Sequence, residues 1–172
     1  MIRTTIRAVL VMIVPLAISA MIFGTALPAS ATNNKLCERN DPTVYCLSAD
    51  SSSLYTAITE GDPGRDLAAV PLNGTFENAP TYLLQFTTHT ADCVGVANDI
   101  AGGVEIKPCN GGTGVVWARV PDGTNTYLWI NQYATLNNDQ GQILYLSGFG
   151  NGSQYEVLPH PSTGWYQAFI FS

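Results

Sequence analysis

An internal repeat is the feature of this sequence that most restricts its fold. Residues 93–96, CVGV, and residues 145–148, YLSG, open similar segments that begin 52 positions apart. Each segment reaches an aromatic residue 24 positions after its start, Trp117 in the first and Phe169 in the second. Units of this size are too small to bury a core individually, so we expect them to close on one another.

A third copy lies earlier in the chain. It begins at residues 46–48, CLS, and we expect it to end near residues 84–86, LQF, which requires an insertion within 59–80. The two later copies also agree at their midpoints, where residues 104–106, VEI, match residues 155–157, YEV. The sequence therefore predicts three pseudo-repeats.

Short alternating runs separated by turns predict an all-β fold. No segment after the N-terminal region keeps an apolar i, i+3, i+4 pattern over three helical turns, whereas Gly, Pro, Asn and Asp clusters recur about every ten residues. The strands are predicted at 44–48, 82–86, 104–107, 115–120, 127–130, 143–146, 155–158 and 166–171. Many short strands at this spacing indicate a barrel or a two-sheet β-sandwich.

Residues 1–31 have the features of a secretion signal peptide. Two arginines precede an apolar run over 8–27, and the segment ends in ASA at 29–31, with small residues at positions −3 and −1. An uncleaved anchor is the alternative, because about 20 apolar residues can span a bilayer. We expect cleavage, a secreted extracellular protein and a single domain at 32–172.

The charge of that domain argues against two classes of partner. Loss of Arg3 and Arg7 leaves five Lys and Arg residues against 13 Asp and Glu residues, a formal charge of −8. A chain so poor in basic residues lacks the positive surface that binds nucleic acid or anionic lipid. We therefore expect no nucleic-acid partner, and no membrane association after signal cleavage.

Four cysteines, an even number in an exported chain, indicate two disulfides. Three pairings of Cys37, Cys46, Cys93 and Cys109 are possible, and the simplest joins sequence neighbours. A metal site is the competing interpretation of four cysteines. The spacing contains no C-x-x-C, and exported thiols are normally oxidised, so we expect neither a metal nor another cofactor.

The second copy resembles one repeat of the ricin B-chain-type lectins. The resemblance runs from Cys93 through residues 108–112, PCNGG, to Trp117, where family repeats open on Cys-Leu-Asp-Val, turn at a Pro-Cys-Asn-Gly-like segment and close on Gln-x-Trp. It implies a β-trefoil, a disulfide between Cys93 and Cys109, and non-catalytic sugar binding. The closing aromatic is a core residue in that family, a position taken here by Trp117, Phe169 and Phe86.

The sugar-contacting residues of the family are only partly present. The opening aspartate is replaced in all three copies, by Ser48, Gly95 and Ser147. The second copy has Glu105 and Lys107 near its turn and is interpreted as scaffold. The third copy keeps the fullest set, in which a ring can cover a sugar face and planar polar groups can bind hydroxyls. Its predicted carbohydrate-binding residues are Ser147, Glu156, Trp165 and Gln167.

Alternatives to direct sugar contact stay open in the third copy and elsewhere. Trp165 can be a core residue, and Gln167 can serve to satisfy backbone groups. In the segment 127–133, we favour a strand with both faces packed inside a barrel over one with an exposed aromatic face.

No catalytic site is predicted. His89 and His160 have no nucleophile motif beside them, and the aspartates lie in turn-like contexts where a solvated carboxylate is the simpler explanation. Two functions remain: binding of an extracellular glycan or polysaccharide, or a protein-binding module such as a protease inhibitor. In the second case the segment 59–80 would form a projecting loop.

Overall fold

A computed structural model describes residues 34–39, 45–49, 53–61, 64–97, 102–110, 114–150, 152–164 and 166–171. The predicted signal at 1–31 and Trp165 lie outside these residues. The described elements are β1 Asn34–Glu38, β2 Cys46–Ser48, β3 Thr59–Gly61, β4 Asp66–Phe76, β5 Ala79–Phe86, β6 Asp92–Val96, β7 Val104–Pro108, β8 Val116–Pro121, β9 Tyr127–Asn131, α1 Gln132–Asn137, β10 Leu144–Ser147, β11 Glu156–Pro159 and β12 Phe169–Phe171.

The strands form three sets of four with the same pairing in each set. The first strand of a set pairs with the last strand of its own set and with the last strand of the preceding set: β1 with β4 and β12, β5 with β8 and β4, β9 with β12 and β8. These six strands close a barrel, and the hairpins β2–β3, β6–β7 and β10–β11 cover one end. The fold is an all-β trefoil, as the repeat and the family resemblance predicted, and not a sandwich.

A triangle of backbone hydrogen bonds marks the pseudo-threefold axis. The Ile58 N–H donates to the Val104 carbonyl at 2.7 Å, Val104 donates to Tyr155 at 2.7 Å, and Tyr155 donates back to Ile58 at 2.9 Å. All three residues are fully buried, so backbone groups that meet no water are satisfied by one another. The predicted match between 104–106 and 155–157 is confirmed by this geometry.

The strand register corrects the prediction for the first repeat. Trp117 and Phe169 each pair with two neighbouring barrel strands, and the residue with the same pairing in the first repeat is Leu67. Phe86, predicted to close that repeat, instead lies in β5, the first strand of repeat two. The expected insertion within 59–80 is largely strand: β4 closes repeat one, then continues with β5 into a long hairpin. Because Leu67 takes the closing position, the first repeat lacks the aromatic residue by which the ends of the other two repeats were predicted.

Two disulfides join the predicted neighbours. Cys37 and Cys46 face each other across β1 and β2 with Cα atoms 3.9 Å apart, and Cys93 and Cys109 tie β6 to the end of β7 at 5.1 Å. Closing a loop of about 15 residues in the unfolded chain contributes about 3 kcal/mol of stability. Both bonds are compatible with an extracellular protein.

Buried side chains fill the barrel from every repeat. In β9 both faces are buried, with Leu128 and Ile130 on one side and Trp129 and Asn131 on the other, but the strand predicted over 127–133 ends at Asn131, where the Asn131 side chain caps α1. No helix among the described residues is long and apolar enough to cross a membrane.

Candidate functional site

Gln167, just before β12, is the centre of a polar network in repeat three. Its side chain is 5% exposed. The amide nitrogen donates to Ser147 Oγ at 2.9 Å and to the Pro159 carbonyl at 3.1 Å. The amide oxygen accepts from the Ser162 N–H at 3.2 Å and lies 2.7 Å from His160 Nδ1. An amide oxygen only accepts, so Nδ1 carries the proton in this contact.

The structure therefore brings two predicted sugar-binding residues together, but below the surface. Ser147 is fully buried, and its hydroxyl donates to the Tyr145 carbonyl at 2.8 Å while accepting from Gln167. Glu156 lies opposite Ser147 across the β10–β11 ladder and is half-buried. The hydrogen bonds of Ser147 and Gln167 join β10, β12 and the turn after β11, which is the backbone-satisfying arrangement left open from the sequence.

A cleft of about 170 Å³ opens beside Gln167 on the solvent side. Its walls come from the turn after β11, the residues before β12, and the residue that follows β1. The lining residues are Arg39, His160, Pro161, Ser162, Tyr166, Gln167 and Ala168. Arg39, His160 and Tyr166 were not among the site residues predicted from the sequence. The one indication of Tyr166 was that it directly follows the predicted Trp165.

Tyr166 presents the aromatic surface of this cleft and is 38% exposed. Its backbone exchanges two hydrogen bonds with Gly148, at 2.9 and 2.7 Å. Its ring lies over Gly150, where an added Cβ would come within 2.6 Å of a ring carbon. Gly150 also has a φ of 76°, a backbone conformation that favours glycine. The 148–150 turn thus fixes the position of the ring.

Glu60, from β3 of repeat one, holds that turn in place. Its Oε1 accepts from the N–H groups of Phe149 and Gly150, the latter at 2.8 Å, and its Oε2 accepts from Gly152 at 2.8 Å. Hydrogen bonds to a charged group contribute about 1.5 to 3 kcal/mol each. The register places Glu60 where the other repeats have apolar residues of their hairpins, so its role is absent from the repeat pattern.

A second buried carboxylate lies next to Glu60. A Cβ added at Gly148 would lie 2.0 Å from Glu38 Oε1 and 2.8 Å from Glu60 Oε1, so the two oxygens are no further apart than the sum of these distances. Burial raises the pKa of the neighbouring Tyr155 hydroxyl above its ordinary value, and the Glu38 and Glu60 carboxylates raise it further. The Tyr155 hydroxyl also donates to the Tyr45 carbonyl at 3.3 Å. Only glycine fits at position 148.

In repeat two, a lysine side chain covers Gly95, the residue that corresponds to Ser147 of repeat three. Lys107 is buried, and its ammonium donates to the Val96 carbonyl at 2.9 Å and lies 3.6 Å from Glu105 Oε1. Its alkyl chain covers Gly95, where an added Cβ would meet Lys107 Cδ at 2.8 Å. This agrees with the interpretation of repeat two as scaffold.

A larger cleft of about 280 Å³ lies between the loop that follows α1 and the β10–β11 hairpin, and has no aromatic wall. Its lining residues are Asn138, Asp139, Gln140, Gln142, Leu144, Val157, Leu158 and Pro159. The Asn138 amide is committed to the loop itself, since it donates to the Thr135 and Gln142 carbonyls at 2.7 Å each. Within the ranges that the structure describes, no three His, Cys, Asp or Glu side chains are grouped to hold a metal ion.

Comparison with solved structures supports the fold. The chain is similar to a designed threefold-symmetric protein, ThreeFoil, with a TM-score of 0.61 and 16% sequence identity, over 80% of this chain and 96% of that one. At this identity the similarity establishes the fold alone. No family model matches the sequence, and no curated protein matches it.

Proposed function

We propose that this protein is a secreted, non-catalytic carbohydrate-binding protein whose site is the repeat-three cleft beside Tyr166. One observation supports the proposal most: an exposed ring, fixed by the 148–150 turn, stands beside the polar groups of His160 and Ser162 in one cleft. The resemblance of the repeats to ricin B-chain-type lectins points to the same ligand class. The two disulfides are compatible with export.

The cleft offers the two kinds of contact that a sugar requires. A ring packs against the apolar C–H face of a pyranose, while planar donors and acceptors bind its hydroxyls. Tyr166 supplies the ring, the Arg39 guanidinium supplies planar N–H donors, and the His160 imidazole, whose Nδ1–H donates to Gln167, supplies its Nε2 as an acceptor. Gln167 and Ser147 then act as positioning residues, since their hydrogen bonds hold the cleft walls rather than facing the ligand.

Binding fits this cleft better than hydrolysis. Glycoside hydrolysis usually needs two carboxyl groups that flank the scissile bond. The seven residues that line the cleft include no Asp or Glu. We therefore assign the cleft a binding role and no catalytic one.

The test is binding of the purified protein to a glycan array and to insoluble polysaccharides, beside two matched variants. Tyr166→Ala removes the ring of the cleft, whereas Tyr55→Ala removes a tyrosine of repeat one that is 64% exposed and does not line the cleft. Contacts made by an aromatic ring contribute about 1 kcal/mol, so we expect about a fivefold loss of affinity for Tyr166→Ala and none for Tyr55→Ala. Absence of glycan binding by the folded protein would contradict the proposal.

The β4–β5 hairpin favours the second candidate function, protein binding. The hairpin extends beyond the barrel pairing to a tip at Glu77 and Asn78, both exposed and both with positive φ, at 50° and 60°. A rigid projecting hairpin is a common site of partner recognition. Inhibition of purified proteases that is lost in Glu77→Lys and kept in Tyr166→Ala would support this candidate over the carbohydrate one.

A further inference from the structure

Arg119 points into the barrel at the end opposite the three hairpins. It lies two residues after the core residue Trp117 on β8, so both side chains are on the inner face. Its guanidinium lies 4.4 Å from the ring centroid of Tyr82 and 4.6 Å from that of Tyr127. With Ala69 and Phe171, which also pack against the core there, these side chains form what we call the barrel mouth.

The two tyrosines hold the guanidinium in place. It lies within cation–π distance of both rings, and Nη2 donates to the Tyr82 hydroxyl at 2.8 Å. The remaining N–H donors lie in the guanidinium plane, where they match the two oxygens of a carboxylate. Among the residues that the structure describes, no Asp or Glu forms an ion pair with Arg119.

A second hydrogen-bond donor without an acceptor lies directly across the ladder from Arg119. Trp129 pairs with Arg119 between β8 and β9 and is fully buried. Its indole Nε1 has no hydrogen-bond partner in the described part of the chain. The Trp129 ring packs edge-on against Tyr82 and Phe171, with centroids 5.9 and 6.0 Å away, and forms the floor of the mouth. A buried donor left unpaired costs about 1 to 3 kcal/mol.

We propose that the barrel mouth is a carboxylate-binding site, separate from the repeat-three cleft. The polar groups that meet there are donors: a guanidinium held between the positions of two tyrosines and, across the ladder from it, an indole N–H with no described partner. Arg119 is a half-buried cation. Although the chain has 13 acidic residues, none of the described ones pairs with it, which favours an anion from outside the chain. We take the carboxylate to be that of a uronic acid residue of a polysaccharide, because the aromatic rings of the mouth can pack against the C–H face of a sugar.

The structure provides both a reporter and an internal control for this site. The indole N–H of Trp129 is unpaired, whereas that of Trp117 donates to the Val94 carbonyl at 2.8 Å inside the core. In ¹H–¹⁵N spectra of the purified protein, we expect glucuronate and N-acetylglutamate to shift the Trp129 indole resonance saturably. The Trp117 resonance should stay in place, and glucose at the same concentration should shift neither. We expect tighter binding of glucuronate, and a preference for N-acetylglutamate would overturn the uronic acid assignment in favour of an acidic peptide.

Two arginine variants complete the test. Arg119→Lys keeps the charge but loses the planar fork, and we expect it to weaken carboxylate binding about tenfold or more. Arg39→Lys, in the repeat-three cleft, should leave it unchanged, which separates this site from the proposed sugar site. A dispersed ligand-free spectrum in which the Trp117 indole resonance keeps its position would show that Arg119→Lys is folded. No saturable shift at Trp129, an equal shift with glucose or chloride, or equal binding by Arg119→Lys would each overturn the proposal.

Discussion

Repeats two and three share one backbone register but differ in the side chains that occupy it. Gly95 in repeat two takes the position of Ser147 in repeat three, because each faces a glutamate across its hairpin. Val115 takes the position of Gln167, two residues before the closing aromatic. The pair is small and apolar in repeat two and polar in repeat three, so the same fold builds a filled site in one repeat and an open cleft in the other.

The two repeats satisfy their buried backbone carbonyls by different means. In repeat two, Lys107 reaches over Gly95 to the Val96 carbonyl. In repeat three, the register places Leu158 at the position of Lys107, and Gln167 donates to the Pro159 carbonyl beside an open cleft. Two changes therefore distinguish the repeats: a lysine replaced by leucine, and a valine replaced by glutamine.

The largest change in stability is expected when Gln167 is replaced by valine, its counterpart in repeat two. Gln167→Val removes the amide that binds Ser147, Pro159 and Ser162, and leaves their buried polar groups with fewer partners. We expect the free energy of unfolding to fall by about 2 to 4 kcal/mol. Urea unfolding followed by tryptophan fluorescence measures it.

The exposed amide Gln140 supplies the control for that variant. Gln140→Val changes the same side chain in a surface loop, where the expected effect is within about 0.5 kcal/mol. Equal stability of Gln167→Val and the parent protein would show that the network contributes nothing, and that the openness of the cleft has another cause.

The sequence predicted this comparison only in part. The matches of Cys93 with Tyr145 and of Trp117 with Phe169 are confirmed by the strand register, because apolar and small residues recur wherever both repeats bury the same face. The first repeat was harder to predict, since its closing position is Leu67 and not an aromatic residue. An aliphatic residue there packs equally well but carries no distinctive signal.

Two residues of the polar network could be predicted from the sequence, but neither their burial nor the exposed residues of the cleft could. Ser147 and Gln167 are in contact, but the hydrogen bonds of both side chains go to other groups of the protein. That outcome depends on the 159–162 turn returning to Gln167, a long-range contact with no local pattern. Glu60 was missed for a related reason: an acidic residue in a short strand is usually interpreted as a surface residue.

A smaller loss of stability is expected when Gly95 of repeat two is replaced by serine, the residue at the same position in repeat three. Gly95→Ser adds a Cβ that would meet Lys107 Cδ at 2.8 Å and Val115 Cγ1 at 3.1 Å. Overpacking of this kind costs about 1 to 3 kcal/mol, with the lower end expected because a lysine chain can move. The double variant Gly95→Ser with Lys107→Leu should recover part of the loss. Unfolding in urea measures both, and a double variant less stable than the sum of its single changes would show that Lys107 is needed for more than filling space.

The smallest expected effect is a change in the stability of the protein in alkaline solution. Tyr155 occupies the axial position that Val104 takes in repeat two, and burial followed by the Glu38 and Glu60 charges raises its pKa. The folded state then keeps the Tyr155 proton after the unfolded chain loses it near pH 10. Stability from this group is therefore complete below about pH 10 and declines above it, by about 1.4 kcal/mol per pH unit at most.

Tyr155→Phe isolates this contribution, because phenylalanine does not titrate. The other tyrosines, lysines and arginines are common to both proteins, so the informative quantity is the difference in the slope of unfolding free energy between about pH 9 and 11. We expect the parent protein to lose stability more steeply than the variant, by about 1 kcal/mol at pH 11. The lost hydroxyl bond to Tyr45 shifts the variant's stability equally at all these pH values and leaves the slope unaffected. Parallel slopes would mean that Tyr155 ionises alike in the folded and unfolded states, so that burial at the axial position does not raise its pKa.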